Sequence, residues 1–261
     1  MTKLQTFWGS FRMSLLHFFA DPQWIIPNII APFIFTVVAL VLFRNVSGSV
    51  ALYAVLGGGM MGMWGNTLYG SGFALAFDRW NGTIEYVLAT PSRLVWIIAG
   101  RSASNAVLGL VNALAIVAVV VLAYGSMFAV ANPLLFLLAL ILTLASLSAL
   151  GVVFCSAFLL SRSAQVMTNG LEMPIYVASG SMFPIALLPL WSHPLSLSLG
   201  PTWGIDAMRY AADTSYTGLG FGYWTDLLVL FASTIAYLAI GFWLFMVVEK
   251  KVRRDATLTE Y

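Results

Sequence analysis

The chain has 261 residues, of which 61% are hydrophobic and only 8% are charged. Because an ordinary soluble domain carries roughly 25% charged residues, this composition excludes a water-soluble globular protein. The single cysteine, Cys155, excludes a disulfide framework and a cysteine-based metal cluster.

The first twenty residues predict an amphipathic helix. Apolar residues recur at three- and four-residue steps, whereas Lys3 and Arg12 occupy the other side. The stretch lacks the compact apolar core and cleavage site of a signal peptide. We therefore expect residues 1–20 to lie at the membrane interface, with the apolar stripe in the acyl boundary. The stripe consists of Leu4, Phe7, Trp8, Phe11, Leu15 and Phe18.

Five intervals without a charged residue are each long enough to cross a bilayer, which takes about 20 apolar residues as helix. The longest, residues 102–161, suffices for two crossings and has a turn-like break near its middle. Continuous apolar runs exclude the alternating pattern of a β-barrel. The expected fold is a single all-α polytopic domain over residues 1–261. Its six transmembrane helices are expected at residues 24–43, 50–77, 95–124, 134–160, 166–188 and 224–248.

The basic residues predict the orientation of these spans. An even number of spans places both termini on one side of the membrane. If that side is the cytoplasm, ten of the twelve basic residues lie inside or at the inner interface, and Arg44 and Arg209 lie outside. We expect a multi-pass protein of the cytoplasmic membrane with both termini in the cytoplasm.

Two connections differ from simple turns. Residues 78–94 form a cytoplasmic loop that carries several charges. Residues 189–223 lie outside and combine prolines and glycines with a high apolar content. We expect the second connection to form short re-entrant helices, which exist at membrane depth only where protein or water satisfies their backbone.

The chain contains no motif that would supply energy or catalysis. No P-loop is present, because none of Lys3, Lys250 and Lys251 follows a glycine. The two histidines, His17 and His193, are expected on opposite sides of the membrane. We therefore expect no catalytic residue, no metal site and no cofactor in this chain. An ion-coupled carrier usually has ionisable groups inside several spans.

The cytoplasmic loop carries a family resemblance. Residues 78–91 read DRWNGTIEYVLATP and are followed by Gly100 and Arg101. This segment resembles the signature loop of ATP-binding-cassette (ABC) export permeases of the second type, the drug and polysaccharide exporters. Asp78 stands where glutamate is commoner. Residues 173–184, 188–189 and 200–209 are similar to the fifth-span and outer-segment pattern of that family, so the resemblance covers essentially the whole chain.

The resemblance implies that the loop contains a coupling helix that docks on a separate cytosolic ATPase. Gly82 can start this helix, and Glu85 lies in its first turn, where the helix dipole favours a carboxylate. Thr90 and Pro91 are expected to begin the next long helix. The expected apolar face of the coupling helix is Ile84, Val87 and Leu88. The resemblance implies that the coupling residues are Arg79, Gly82, Thr83, Glu85 and Arg93. For Arg93, an equal alternative is that its side chain only extends to the lipid headgroups.

The resemblance also implies partners and a pathway. Two ABC ATPase subunits would bind ATP and Mg²⁺, and a second permease chain, identical or homologous, would complete the complex in the lipid bilayer, with no nucleic acid involved. Spans two and five would flank the pathway between the permeases. The candidate residues that would line this pathway are Asn66, Tyr69, Asn169, Glu172 and Tyr176. For Glu172, the alternative to lining the pathway is a position just below the inner headgroups.

The expected function is therefore that of an ABC exporter permease that moves an amphipathic substrate outward. A drug, a lipid or a lipid-linked glycan all fit this description. The alternatives are an ion-coupled carrier, a membrane-embedded enzyme, or a membrane partner of an ATPase that transports nothing. For the carrier and the enzyme, Glu172 is the only candidate ionisable group well inside a span. Asp226 lies near the outer end of the sixth span. Asp206, Arg209 and Asp213 have the spacing of a local ion-pair network on one helix.

Overall fold

The computed structural model describes residues 3–20, 30, 33–38, 41, 49–90, 92–124, 130–159, 163–182, 185, 188–213 and 215–255. Within these ranges the chain is helical and contains no strand, which confirms the predicted all-α class for this part of the protein. The predicted first span, residues 24–43, lies mostly outside the described residues, although residues 33–38 are helical.

The helices follow the predicted order along the chain. They are α1 (Lys3–Ala20), α2 (Ser49–Gly65), a π-helix (Asn66–Gly72), α3 (Ala74–Trp80), α4 (Ile84–Ala89), α5 (Leu94–Tyr124), α6 (Pro133–Leu159), α7 (Ala164–Ala178), a 3₁₀ turn (Leu190–Ser192), α8 (His193–Ser198), α9 (Gly200–Ala212) and α10 (Tyr223–Asp255).

Three of the described helices are long and apolar enough to cross a membrane. The qualifying stretches are Leu94–Ala118 in α5, Pro133–Phe158 in α6 and Tyr223–Val247 in α10. They coincide with the predicted third, fourth and sixth spans. The α-helical segments at the second and fifth predicted spans are shorter, at 17 residues for α2 and 15 for α7. The six-span count therefore stays a prediction.

The second predicted span is interrupted by the π-helix. The N–H of Phe73 donates to the carbonyl of Leu68 at 3.1 Å, the five-residue step of a π turn. Two glycines allow this widened turn to pack closely. A Cβ on Gly70 would lie 2.6 Å from Cγ of Asn105, and one on Gly72 would lie 3.0 Å from the Phe158 ring.

Helix α7 ends earlier than the predicted boundary at residue 188. Gly180 adopts a φ of +72°, which suits glycine. The N–H groups of Gly180 and Ser181 donate to the carbonyls of Val177 and Tyr176 at 3.1 and 3.2 Å. These two hydrogen bonds form a Schellman motif. They satisfy the carbonyls of Tyr176 and Val177 in the last turn of the helix, which ends at Ala178.

The helices extend between two ends of the molecule. At the first, the loop end, Ile84 of α4 shares an apolar core with Leu75, Leu94 and Phe245. At the opposite end, the N–H of Asn132 donates to the carbonyl of Ala211 at 2.9 Å, joining the start of α6 to α9.

Helix α7 also extends between these ends. It starts against Ala76 and Phe158 near the loop end. It finishes beside Tyr53, whose hydroxyl donates to the carbonyl of Gly180 at 3.4 Å. Helix α7 thus connects the loop end to the end of α2 that carries Tyr53.

Helix α1 packs on α5 through small polar residues. The hydroxyls of Thr6 and Ser92 are 2.8 Å apart, and Ser10 donates to the carbonyl of Ile97 at 2.7 Å. Several apolar side chains of α1 are uncovered, which suits a helix at the membrane interface. They are Leu4 and Trp8 from the predicted stripe, together with Met13, Leu16 and Phe19, whereas the other four members of the stripe are partly buried.

Replacing Gly100 by alanine is expected to destabilise the α1–α5 contact. The added Cβ would collide with the backbone carbonyl of Phe7 and lie 3.1 Å from N of Phe11. We expect a loss of about 1–3 kcal/mol, the usual range for overpacking. Thermal unfolding of the purified chain in detergent checks this expectation.

Gly170 provides the matched control for this substitution. It is also helical, but a Cβ there would have no neighbour within 4 Å. Gly170→Ala should leave stability unchanged or raise it by up to about 1 kcal/mol, because alanine is the better helix former. Equal melting temperatures for both variants would show that α1 does not depend on Gly100.

Candidate functional site

The loop between α3 and α4 contains a tight turn built on Asp78. Gly82 adopts a φ of +66°, and its N–H donates to the carbonyl of Arg79 at 3.2 Å. The N–H of Thr83 donates to the carbonyl of Asp78 at 2.9 Å, and its hydroxyl donates to the same oxygen at 3.2 Å. Gly82 and Thr83 thus reverse the chain immediately before α4.

Helix α4 begins at Ile84, so Glu85 lies in its first turn as predicted. The predicted apolar docking face is wrong for two of its members. Ile84 is only 4% exposed within the core of the loop end, and Val87 packs against the same core. They hold the short helix on the protein because an isolated helix of six residues is not stable in water.

The surface that α4 presents to the surroundings is instead centred on Tyr86. Its side chain is 79% exposed. Trp80, at the end of α3, is exposed as well and stacks edge-to-face on Phe73 with ring centroids 5.1 Å apart. The loop therefore offers aromatic side chains on a rigid support, which is the type of residue that dominates protein interfaces.

The next long helix begins later than predicted. Thr90 ends α4: its hydroxyl donates to the carbonyl of Tyr86 at 3.1 Å, and its ψ of 134° is the extended value favoured before a proline. Helix α5 starts at Leu94, and the carbonyl of Arg93 accepts the N–H of Trp96 at 3.1 Å. The Arg93 side chain is exposed.

An ion pair joins the loop to α5. Nη1 of Arg101 donates to Oδ2 of Asp78 at 2.5 Å, and the two side chains are only 21% and 13% exposed. The backbone carbonyl of Asp78 thus holds the turn, and its carboxylate holds the turn against α5. Arg79, one residue further, is half-buried on the last turn of α3. The loop therefore follows directly from α3 and is joined to α5 by the ion pair.

A second cluster lies between the π-helix and α7. The hydroxyl of Tyr69 lies 2.6 Å from Oε2 of Glu172 and 3.0 Å from Oδ1 of Asn169. The hydroxyl of Tyr176 donates to Oε1 of Glu172 at 3.0 Å. Four of the five predicted pathway residues therefore meet in one place, and we call them the Glu172 cluster.

The fifth predicted pathway residue, Asn66, is turned into the core. It is buried, and its Nδ2 donates to the carbonyl of Gly62 at 3.0 Å, within its own helical segment. Asn66 thus begins the π-helix, whereas Tyr69, three residues later, reaches α7. Among the described residues, no group of three or more His, Cys, Asp and Glu is placed to hold a metal ion.

The predicted ion-pair network on α9 is absent from the described residues. Asp206 accepts the hydroxyl of Tyr216 at 2.6 Å and the N–H of Leu219 at 3.1 Å. Asp213 accepts the N–H and hydroxyl of Ser215 at 2.8 and 2.7 Å, and these bonds lower the pKa of its carboxyl. Each aspartate therefore organises the connection that follows α9.

Arg209 lies on an aromatic ring instead of beside a carboxylate. Its Cζ is 3.3 Å from the ring centre of Tyr53 in α2, a cation–π contact. Because Tyr53 also donates to Gly180, this contact links the ends of α2, α7 and α9.

Asp226 in α10 is the most deeply buried acidic side chain that the structure describes. It is 0% exposed, and neither of its carboxylate oxygens has a hydrogen-bond partner in the described part of the chain. Asp206 lies beside it, so two carboxyl groups share one buried location.

Sequence reasoning missed three features that the structure brings together. Asp78 and Arg101 were recognised only as motif residues, although opposite charges on two helices that flank the same loop, here α3 and α5, indicate a pair. Tyr86 was passed over in favour of its aliphatic neighbours. The contact between Arg209 and Tyr53 joins residues far apart in the chain, and no local pattern indicates it.

Comparison with known proteins supports one assignment. No curated protein matches the chain. The model of the family described as "ABC-2 type transporter" matches residues 5–212 and so covers most of the sequence. The match includes the loop of residues 78–93, the Glu172 cluster and α9. Together with the long apolar helices, it identifies a multi-pass membrane protein and a transport subunit: the chain belongs to the ABC-2 type transporter family.

Proposed function

We propose that this chain is the permease subunit of an ABC exporter that moves an amphipathic substrate outward across the cytoplasmic membrane. Two copies, or one copy and a homologue, would pair in the bilayer. Two separate cytosolic ATPase subunits would bind ATP and Mg²⁺ and supply the energy. Both termini and the loop of residues 78–93 would face the cytoplasm.

The observation that carries this proposal is the construction of the loop. It presents an exposed aromatic residue, Tyr86, on a short helix whose other side is anchored by Ile84. The pair of Asp78 and Arg101 then connects the same loop to α5. A partner that pushes on Tyr86 would therefore displace α3 and α5 together with α4.

The displacement can reach the Glu172 cluster through the backbone. Helix α3 is separated from the π-helix only by Phe73, and the π-helix carries Tyr69. The hydroxyl of Tyr69 bonds to Glu172 and thereby joins the π-helix to α7. Movement at the loop would change the separation of these two segments, which is the step needed to open a pathway beside them.

Two observations weigh against the rival functions. An ion-coupled carrier needs several ionisable groups along its pathway. Among the described acidic and basic residues of α2, the π-helix, α6 and α7, Glu172 is the only one, and the buried carboxyl groups of Asp206 and Asp226 lie on α9 and α10, outside the proposed pathway segments. An ATPase partner that transports nothing would not need a polar cluster between two movable segments. These points favour transport driven by an external ATPase.

The Tyr86→Ala substitution tests the docking role. We expect co-purification of the ATPase subunit to fall about tenfold or more, because an exposed aromatic anchor is worth about 2 kcal/mol or more at an interface. The fold of the chain should be unaffected, since the Tyr86 side chain is 79% exposed. Pull-down of the ATPase with the tagged permease from solubilised membranes measures the effect.

Tyr210→Ala is the matched control. Tyr210 is also an exposed tyrosine, at 39%, but it lies on α9 at the opposite end of the molecule. Its substitution should leave ATPase recovery at the wild-type level. Unchanged recovery with Tyr86→Ala, or an equal loss with both variants, would contradict docking at this loop.

A further inference from the structure

We infer that the Glu172 cluster recognises the positively charged group of an organic cation, so that the transported substrates are amphipathic cations. The inference rests on the proposed function, because it assumes that the π-helix and α7 border the transport pathway. It adds the charge and chemical class of the substrate to that proposal.

The first argument is charge balance. The elements that pack on α7 include α2, the π-helix, α6 and α8. None of them contains a lysine or an arginine, and α7 itself contains none. Their one basic titratable side chain is His193 of α8, whose Nε2 is 3.1 Å from the carbonyl of Leu188. No described residue forms an ion pair with Glu172.

The second argument is the geometry around the carboxylate. Tyr69 and Tyr176 hold one oxygen each, at 2.6 and 3.0 Å. Because each carboxylate oxygen can accept two hydrogen bonds, both keep acceptor capacity after binding the tyrosines. The side chain is thus fixed in one orientation without being neutralised. The ring of Tyr69, which is only partly buried, can also attract a cation through its face.

The third argument is access. Glu172 is half-buried. Asn169, one turn earlier on the same face of α7, is exposed. Tyr69, which contacts both side chains, is half-buried as well. The cluster can therefore be reached from the side of Asn169.

These features select for cations and against anions. A carboxylate at membrane depth is costly unless it faces water, takes up a proton or finds a partner. An ammonium or phosphonium group would supply the missing partner and would lie beside the ring of Tyr69. An anionic headgroup, such as that of an acidic lipid, would instead meet a negative charge with no described basic residue nearby.

Two ions of the same shape and opposite charge test the inference. Tetraphenylphosphonium and tetraphenylborate would be measured by equilibrium dialysis against the purified full-length chain in detergent micelles, with protein-free micelles as the baseline. We expect saturable binding of the phosphonium and none of the borate. Glu172→Gln should weaken phosphonium binding about tenfold or more, whereas Glu172→Asp, which keeps the charge, should stay within about threefold.

Equal binding of the two ions by the wild-type chain would overturn the inference, as would full phosphonium affinity in a folded Glu172→Gln variant. If that variant does not fold, the contrast between the two ions and the affinity of Glu172→Asp still decide the outcome. The assay contains no ATPase, so its result is independent of docking at Tyr86. If the wild-type chain recovered no ATPase subunit but kept its preference for the cation, the result would count against the proposed function alone.

Discussion

Reversing either charge of the pair formed by Asp78 and Arg101 is expected to uncouple the permease from its ATPase. The two side chains are mostly buried at the junction of α3, the loop and α5. Asp78→Arg or Arg101→Asp would place two like charges in this junction. We expect a loss of about 2–4 kcal/mol of stability, since breaking a buried pair leaves an uncompensated charge. ATP-driven transport in proteoliposomes should fall about tenfold or more, because the end of α3, from which the loop starts, loses its connection to α5.

The double variant, Asp78→Arg with Arg101→Asp, should recover much of both losses, because it restores opposite charges at the same positions. Lys3→Asp is the control for charge reversal at an exposed position of α1. It should change neither stability nor transport appreciably. If the double variant is no better than the single ones, the pair does not act as a unit and the link between the loop and α5 is wrong.

Neutralising Asp226 is expected to stabilise the protein. Its carboxylate is fully buried, has no hydrogen-bond donor among the described residues and lies beside the carboxylate of Asp206. Asp226→Asn keeps the shape, removes the buried charge and gives Asp206 an amide donor. We expect a gain of about 1–3 kcal/mol, the size of the penalty for an unsatisfied buried polar group. Thermal or denaturant unfolding in micelles measures this gain.

Two comparisons show whether the gain comes from the buried charge. Asp226→Glu keeps the charge and should not stabilise the protein. Asp213→Asn, at a carboxylate that accepts two hydrogen bonds from Ser215, should be neutral or slightly destabilising. A clear loss of stability in Asp226→Asn would mean that the carboxylate has a partner that this arrangement does not show.

The long apolar helices could be predicted from the sequence because charge is excluded from hydrocarbon regardless of tertiary detail. The predicted third and fourth spans agree with α5 and α6 to within one residue at each end. The end of α7 was missed because the Ser179–Gly180 pair was not recognised as a helix terminus. That signal was present in the sequence, since glycine is the usual residue at this position.

The orientation of short helices could not be predicted in the same way. In α4, Ile84 and Val87 share one face, and composition alone does not reveal whether that face meets a partner or the protein itself. The structure shows that it meets the protein, which leaves Tyr86 for the partner. Three residues of the Glu172 cluster lie within one helix, but the contact with Tyr69 depends on the widened π turn, and no periodic pattern predicts such a turn.

The central claim is that a separate ATPase acts on this chain through the loop of residues 78–93. A photoreactive amino acid in place of Tyr86, irradiated in membranes that contain the complete transporter, tests it most directly. The account predicts a cross-link to the cytosolic ATPase subunit, and none when the same group replaces Tyr210. A cross-link from position 210 in place of position 86, or labelling of position 86 from outside the cell, would contradict it.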